Sequence, residues 1–180
     1  MKTNSVDFLL NPKKIGDQRI YFLSGNEISM IQGLKEGIVK SFVEKKNNEV
    51  LRIQNITLYK NEKSLFSNNK IVCVEEIKGL TEKIISELIL KDDVFVFESM
   101  NSPSNKKIKS FLASNKNSLL IECYELDKNS KIKIIKAFLN DHNKSLDENI
   151  FWYLVDVLDN KYGYLIRELE KINNLNNDTL

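Results

Sequence analysis

Hydrophobic residues in the first two thirds of the chain form short apolar runs separated by amphipathic stretches. Five runs are predicted to be strands: residues 19–24, 50–56, 70–76, 93–99 and 118–125. Three of them, 70–76, 93–99 and 118–125, have near-continuous apolar cores. Runs of this length are typical of strands that are buried on both faces, and such strands favour a parallel sheet. The pattern therefore predicts five parallel strands.

The stretches between these runs have helical spacing. After Gly25, apolar residues recur every three or four positions, at Ile28, Ile31, Leu34, Ile38 and Phe42. That spacing places them on one face of a helix. Strand and helix alternate up to residue 125, which predicts an α/β fold with a five-stranded parallel sheet flanked by helices.

The pattern changes after Asp127, where helical spacing continues and strand patterns stop. Three helical segments follow, over residues 130–142, 146–158 and 162–175. Ser145 and Glu148 have the spacing of a capping box, which predicts that Ser145 caps the second of these helices. We expect an α/β domain over residues 1–126 and a three-helix domain over 127–180, with Trp152 packed in the core of the latter.

Composition and charge narrow the class of protein. The formal net charge of +2 is too small to indicate nucleic-acid binding by itself. No apolar run has the length of a membrane span, and the apolar stretch at the N-terminus is too short for a secretory signal, so a cytoplasmic location is expected. Cys73 and Cys123 lie in apolar runs, which predicts buried, reduced thiols.

The junction Gly25-Asn26-Glu27 stands where many proteins bind phosphate, between a strand and a helix. A Walker A loop has the pattern G-x-x-x-x-G-K-[ST], whose lysine and hydroxyl contact the phosphates and magnesium. This junction lacks the lysine, and Glu27 would place a negative charge beside the anion. We predict a strand–helix turn, with Asn26 as N-cap, that binds no nucleotide.

Other candidates for chemistry are few. His142 is the only histidine, so a multi-histidine metal site is excluded, and a role at a helix end is expected. The acidic pairs Glu75-Glu76 and Asp92-Asp93 lie at strand boundaries, where magnesium carboxylates also occur. Without a phosphate loop they are interpreted as solvated turn charges. No metal, cofactor or catalytic residue is predicted.

Three short stretches resemble the delta subunit of the bacterial DNA polymerase III clamp loader. The first is YFLSGNE over residues 21–27, and the second is SLFS over 64–67 followed by the strand KIVCVEE over 70–76. The third is YLIRELEKINNL over 164–175. Their order and spacing agree with the family over nearly the whole chain.

The resemblance implies an AAA+-like (RecA-type) α/β domain followed by a three-helix lid. Members of this family neither bind nor hydrolyse ATP. They bind the ring-shaped sliding clamp (the beta subunit) and open it, so that it can be loaded on primed DNA during replication. The implied partners are the clamp, the gamma/tau and delta prime loader subunits and, through the complex, primer–template DNA. The implied location is the replisome on the cytoplasmic nucleoid.

The family contacts its clamp through an exposed Leu-Phe pair, which matches Leu65 and Phe66, with Ser64 and Ser67 beside them. The alternative is that both side chains pack inward on the sheet. The helix predicted to start at Pro103 has three lysines that are candidate contacts to DNA phosphates, although the sequence favours a solvated helix face: Lys106, Lys107 and Lys109.

The chain departs from the family in one respect. Delta subunits continue into a helical collar domain, and this sequence ends just after the E-L-E-K segment. We expect either a fragment or a shortened protein, and assembly into a complete loader stays open. The alternatives to a clamp-binding subunit are an atypical AAA+-type NTPase that binds ATP and an unrelated α/β binding module.

Overall fold

The computed structural model describes residues 1–11, 18–46, 48–60, 69–100 and 105–175. Contacts divide the chain into two compact units, Met1–Cys123 and Tyr124–Leu180. The sequence pattern placed the division slightly later, after residue 126.

The first unit is built on a parallel sheet. Its strands are β1 (Lys2–Asn4), β2 (Ile20–Gly25), β3 (Glu49–Asn55), β4 (Lys70–Glu76), β5 (Val94–Met100) and β6 (Ser118–Cys123). Their spatial order is β1-β6-β2-β5-β4-β3, and every pairing is parallel. The predicted parallel α/β sheet is therefore confirmed.

The predicted number of strands is wrong, because the described sheet has six. The additional strand, β1, pairs with β6 in the register Lys2 to Leu120. It is short and mostly exposed, so it contains no apolar run that a pattern could detect. The terminal ammonium of Met1 holds it in place by donating hydrogen bonds to the carbonyls of Asn115 and Ser118, each at 2.9 Å.

Helices follow most of the strands in the first unit. They are α1 (Ser5–Leu9), α2 (Ile28–Lys46), α3 (Glu82–Ile89) and α4 (Lys106–Ser114). The predicted buried face of α2 is correct at Ile31, Leu34, Ile38 and Phe42. It is wrong at Ile28, which is 55% exposed, because the buried stripe of this helix begins at Met30.

Both faces of the sheet are covered by apolar side chains. On one face, Phe97 lies between Phe22 and Phe95, with ring centroids 6.3 and 6.4 Å apart. Tyr21 contacts the α2 residue Phe42, with ring centroids 5.9 Å apart. Side chains of successive residues in a strand point to opposite faces, so β2 is buried at all of its positions. This two-sided burial explains why the central strands read as continuous apolar runs.

The second unit consists of three helices among its described residues: α5 (Lys128–Asp141), α6 (Glu148–Val157) and α7 (Tyr162–Leu175). Their buried apolar residues are Ile134, Ile135, Leu154, Val155, Leu165 and Leu169. Asp127 caps α5 by accepting a hydrogen bond from the backbone N–H of Ser130 at 2.7 Å. That bond lowers the pKa of the Asp127 carboxyl group. The role of this unit as a lid stays a prediction.

Two predictions about the second unit are wrong. The N-cap of α6 is Asp147, which accepts from the backbone N–H of Asn149 at 2.9 Å, and not Ser145. Trp152 is 43% exposed, because Leu154 and Val155 point into the core instead. His142 lies at a helix end, as expected: it is the C-cap residue of α5 and stacks on Phe138.

None of the helices in the described parts of the chain has the length and hydrophobicity of a membrane span.

Candidate functional site

The carboxyl edge of the sheet, where the parallel strands end, is the first region in which a ligand is expected. Strand β2 lies between β5 and β6, and the chain leaves it to form β3 at the far edge of the sheet. This reversal of strand order creates a crevice beyond the carboxyl ends, and open α/β sheets bind their ligands there. Gly25 is the last residue of β2 at this point.

The junction after β2 is closed by the protein's own backbone. The backbone N–H groups of Asn26 and Glu27 both donate to the carbonyl oxygen of Cys123, each at 3.1 Å. A Cβ atom added to Gly25 would lie 1.7 Å from that same oxygen. Only Asn26 and Glu27 separate the strand from α2, which begins at Ile28. A Walker A loop needs a longer glycine-rich turn with free amides, and these two amides are already paired.

Glu27 completes this closed junction. It is only 4% exposed, and its carbonyl accepts the first helical hydrogen bond, from Ile31 N–H at 3.1 Å. Glu27 is therefore the N-cap residue of α2, and the prediction of Asn26, which is exposed, is wrong. A carboxylate at a helix N-terminus is favourable for the helix and repels a phosphate at the same place.

Cys123 and Cys73 are buried free thiols, as predicted. Burial, with smaller contributions from the Glu27 and Glu122 charges, raises the pKa of the Cys123 thiol to about 12. The pKa of Cys73 is also raised, chiefly by burial. A thiol is nucleophilic only as the thiolate, so neither cysteine is suited to nucleophilic catalysis.

The carboxylates at the ends of β4 match the interpretation as solvated charges. Glu75 and Glu76 are exposed, and Glu76 accepts a hydrogen bond from Gln54 Nε2 at 3.0 Å. Among the described residues, no group of three or more histidine, cysteine or acidic side chains is arranged to hold a metal ion.

One polar cluster in the carboxyl half of the sheet was missed by the sequence reasoning. Glu98 of β5 accepts from Lys35 Nζ at 2.7 Å and from Gln32 Nε2 at 2.9 Å, and both partners belong to α2. The side chains of Lys35 and Glu98 are only 17% and 13% exposed. This cluster ties α2 to the sheet, and no local pattern indicates it, because the partners are more than sixty residues apart.

The amino edge of the sheet, where the strands begin, contains a second polar arrangement. Asp93, just before β5, accepts from the hydroxyl of Tyr59 at 2.6 Å and from the backbone N–H of Lys70 at 2.8 Å. The Tyr59 ring packs edge-on against Phe95, with centroids 5.1 Å apart, and Lys91 Nζ lies 4.7 Å from its centroid. Burial and the hydrogen bond to Asp93 raise the pKa of Tyr59.

The two acids of this edge therefore differ. Asp92 matches the prediction of a solvated charge: its side chain is 81% exposed, and its nearest cation is Arg19 at 3.7 Å. For Asp93 the prediction is wrong, because its carboxylate joins the residues that precede and follow the 61–68 stretch. In the sequence, Tyr59 and Asp93 carry no pattern that would indicate a contact between them.

The predicted clamp contact cannot be placed. Ser64, Leu65, Phe66 and Ser67 lie within residues 61–68, outside the described residues. The predicted DNA contacts are in α4, where Lys106 and Lys107 are exposed and Lys109 is half-buried. No observation tests whether they contact DNA, so both assignments stay predictions.

Comparison with known proteins identifies similar folds but does not assign the chain to a family. No family model matches the chain, and no curated protein matches it in sequence. Among solved structures, the Bacillus subtilis DNA clamp loader delta protein (YqeN) is similar over 95% of this chain and 57% of its own, with a TM-score of 0.65 and 16% identity.

Two structures of the replication initiator DnaA are also similar. One, bound to AMPPCP and single-stranded DNA, matches 94% of this chain and 60% of its own, with a TM-score of 0.53 and 16% identity. The AMPPCP-bound DnaA from Aquifex aeolicus matches 92% of this chain and 57% of its own, with a TM-score of 0.50 and 19% identity. The chain thus spans less than two thirds of each of these structures. At this identity the likeness establishes the fold alone, which is AAA+-like.

Proposed function

We propose that this protein is a non-catalytic clamp-loader subunit of the delta type, which binds the sliding clamp and opens it for loading on primed DNA. The observation that carries the proposal is the closed junction after β2. An AAA+-like fold in which Glu27 is buried at this junction and both junction amides are paired with the Cys123 carbonyl is suited to a structural role. The likeness to the clamp loader delta protein supports this choice among AAA+-like proteins.

In this proposal ATP is bound by neighbouring subunits. The gamma/tau and delta prime subunits are the proposed partners, and primer–template DNA is reached through the complex. The assignment of Lys106, Lys107 and Lys109 as DNA contacts belongs to the same proposal.

The clamp contact is proposed at Leu65 and Phe66, two large apolar residues between polar neighbours. Burying such side chains in a pocket of the partner contributes about 1.5–3 kcal/mol each. Large side chains that enter a desolvated pocket are typical binding hot spots.

The deciding experiment measures binding to the sliding clamp of the same organism by surface plasmon resonance. The variant Leu65→Ala/Phe66→Ala should fold like the parent and bind at least about a hundredfold more weakly, since about 3 kcal/mol or more is lost. A matched control is Tyr153→Ala/Val157→Ala, because these α6 residues are 64% and 60% exposed. That control should bind like the parent. Equal binding by the Leu65/Phe66 variant would refute the assignment.

An ATP titration tests the alternative of an atypical NTPase. With both amides of the junction paired to Cys123, we expect no saturable heat of binding in calorimetry at millimolar ATP and magnesium. Micromolar affinity would overturn the proposed non-catalytic role.

A further inference from the structure

The second unit contains a cleft of about 400 Å³, which is lined by the C-terminal half of α5, the turn that follows it and the first turns of α6. The apolar part of this lining consists of Leu139, Leu146, Phe151 and Trp152. Pockets that hold small ligands have volumes from about 300 Å³ upward. The cleft is therefore large enough for one flat organic group.

Trp152 is the large aromatic residue of this cleft that stays accessible. Its side chain is 43% exposed. Contacts within α6 orient its indole: the ring packs edge-on with Phe151, with centroids 5.4 Å apart, and Nε1 donates to Glu148 Oε1 at 3.4 Å. An oriented, accessible aromatic ring is a platform on which a nucleic-acid base can stack.

The charged side chains of the lining favour an anionic ligand. Lys136 Nζ lies 5.7 Å from the centroid of the Phe151 ring, and Lys144 lines the cleft from the turn after α5. Glu148 is the one acidic residue among the described lining residues, so two ammonium groups against one carboxylate leave a net charge of +1. Basic side chains beside aromatic rings are the combination that binds phosphate and base together.

The same features favour a single strand over other anionic ligands. A nucleotide within a strand has a phosphate on each side, which matches two lysines, whereas a free mononucleotide has one. The bases of a duplex are already paired and stacked, and it costs energy to bring one out. A run of acidic residues in a protein would meet the lysines only, because it has no flat ring to place on the indole.

We infer that the cleft between α5 and α6 binds a single-stranded nucleic acid, in which one base stacks on Trp152 and the flanking phosphates contact Lys136 and Lys144. None of the α4 lysines belongs to this site, and it does not need the sliding clamp. The inference is therefore independent of the proposed function.

The first test uses fluorescence, since Trp152 is the only tryptophan of the chain and reports the cleft directly. The full chain is titrated with decathymidylate, with decauridylate, with thymidine monophosphate at equal nucleotide concentration and with polyglutamate at equal charge. We expect saturable quenching by a decamer, with a Kd of about 10–100 µM at low salt. The two decamers distinguish DNA from RNA as the source of the strand.

The second test measures the binding of fluorescein-labelled decathymidylate by anisotropy. Trp152→Leu should bind about tenfold more weakly, because one stacked base is lost. Lys136→Ala should reduce the slope of log affinity against log salt by about 0.7, the value for one phosphate contact to a single strand. A residue with a structural role alone would not change that slope. Both side chains are exposed, so the variants should fold, which circular dichroism checks.

The matched controls are Tyr164→Leu and Lys161→Ala. Both residues are exposed on the same unit and lie outside the lining of the cleft, so both variants should bind like the parent. If the controls weaken binding as much as Trp152→Leu and Lys136→Ala do, the strand does not bind in the cleft.

The other outcomes that would overturn the inference are equally specific. Neither decamer quenching the fluorescence saturably refutes the site. Binding by anisotropy without a change in Trp152 fluorescence places the strand elsewhere on the chain and also refutes it. Equal quenching by polyglutamate would show attraction by charge without stacking, and equal quenching by thymidine monophosphate would show that no strand is needed. Each of these results leaves the proposed clamp contact untouched.

Discussion

The two edges of the sheet each contain a contact between segments that are distant in sequence, and the two contacts differ in kind. At the carboxyl edge, backbone meets backbone: the amides of Asn26 and Glu27 bond to the Cys123 carbonyl, and Gly25 allows the close approach. At the amino edge the contact is made by a side chain: the Asp93 carboxylate accepts hydrogen bonds from the Tyr59 hydroxyl and from the Lys70 backbone N–H. The turn after β2, where α/β sheets usually bind ligands, is thus occupied by contacts of the protein's own backbone. The polar side-chain contact lies at the opposite edge.

This contrast predicts different sensitivities. A backbone contact cannot be relieved by a change of rotamer, so any added Cβ atom must move the chain. A side-chain contact is lost by truncation, and water then replaces the missing partner where the site is partly exposed.

The largest effect is expected for Gly25→Ala. The new Cβ would lie 1.7 Å from the Cys123 carbonyl oxygen, so β2 and β6 must separate locally. We expect a loss of about 3 kcal/mol in the free energy of unfolding, measured by urea denaturation. The control is Gly37→Ala in α2, where an added Cβ meets nothing within 4 Å. This helix position should gain about 0.5–1 kcal/mol. Equal effects at the two glycines would contradict the closed junction.

A middle-sized effect is expected for Glu98→Ala. It removes the partner of Lys35 Nζ, at 2.7 Å, and leaves a half-buried ammonium without its carboxylate. The expected loss is about 1–3 kcal/mol in the free energy of unfolding, again from urea denaturation. Glu44→Ala is the control: its ion pair with Lys40 is exposed and 3.9 Å long, so less than about 0.5 kcal/mol should be lost. A large loss in the control alone would overturn this ranking.

The smallest effect is expected for Tyr59→Phe, at about 1 kcal/mol near neutral pH. The pKa of Tyr59 is raised in the folded state by burial and by Asp93, so its contribution is present below the unfolded tyrosine pKa of about 10. That contribution is lost as the pH rises through the folded pKa. The stability difference between parent and variant should therefore shrink above about pH 10. A difference that stays constant with pH would show that the hydroxyl is not the group involved.

Much of the fold could be predicted from the sequence, because double-sided burial leaves a strong local signal. The runs around Phe22, Val72 and Phe95 are apolar at successive positions, and each is a strand. β1 could not be predicted, since its pairing depends on β6 and on bonds of the Met1 ammonium. Trp152 was misplaced because a large aromatic residue beside Phe151 and Tyr153 has no preferred direction until the neighbouring helices are in place.

Of the candidate sites, the junction at Gly25 was predicted and the two polar clusters were not. The missing lysine and the charge of Glu27 are local facts, which are visible in seven residues of sequence. Asp93 and Glu98 derive their roles from partners in other elements, so their own neighbours in sequence carry no signal. The assignment of Leu65 and Phe66 came from a resemblance and stays a prediction.

The sequence by itself determined most of the strands and helices, and that the junction after β2 lacks the glycine spacing and the lysine of a Walker A loop. The order of apolar and polar residues is sufficient for this, because period and composition act within a few residues. Only the tertiary structure decided that the Cys123 carbonyl takes the amides of the junction, and that a single carboxylate joins Tyr59 to Lys70. These contacts join elements far apart in the chain, and their geometry exists only once the sheet has set the strands side by side.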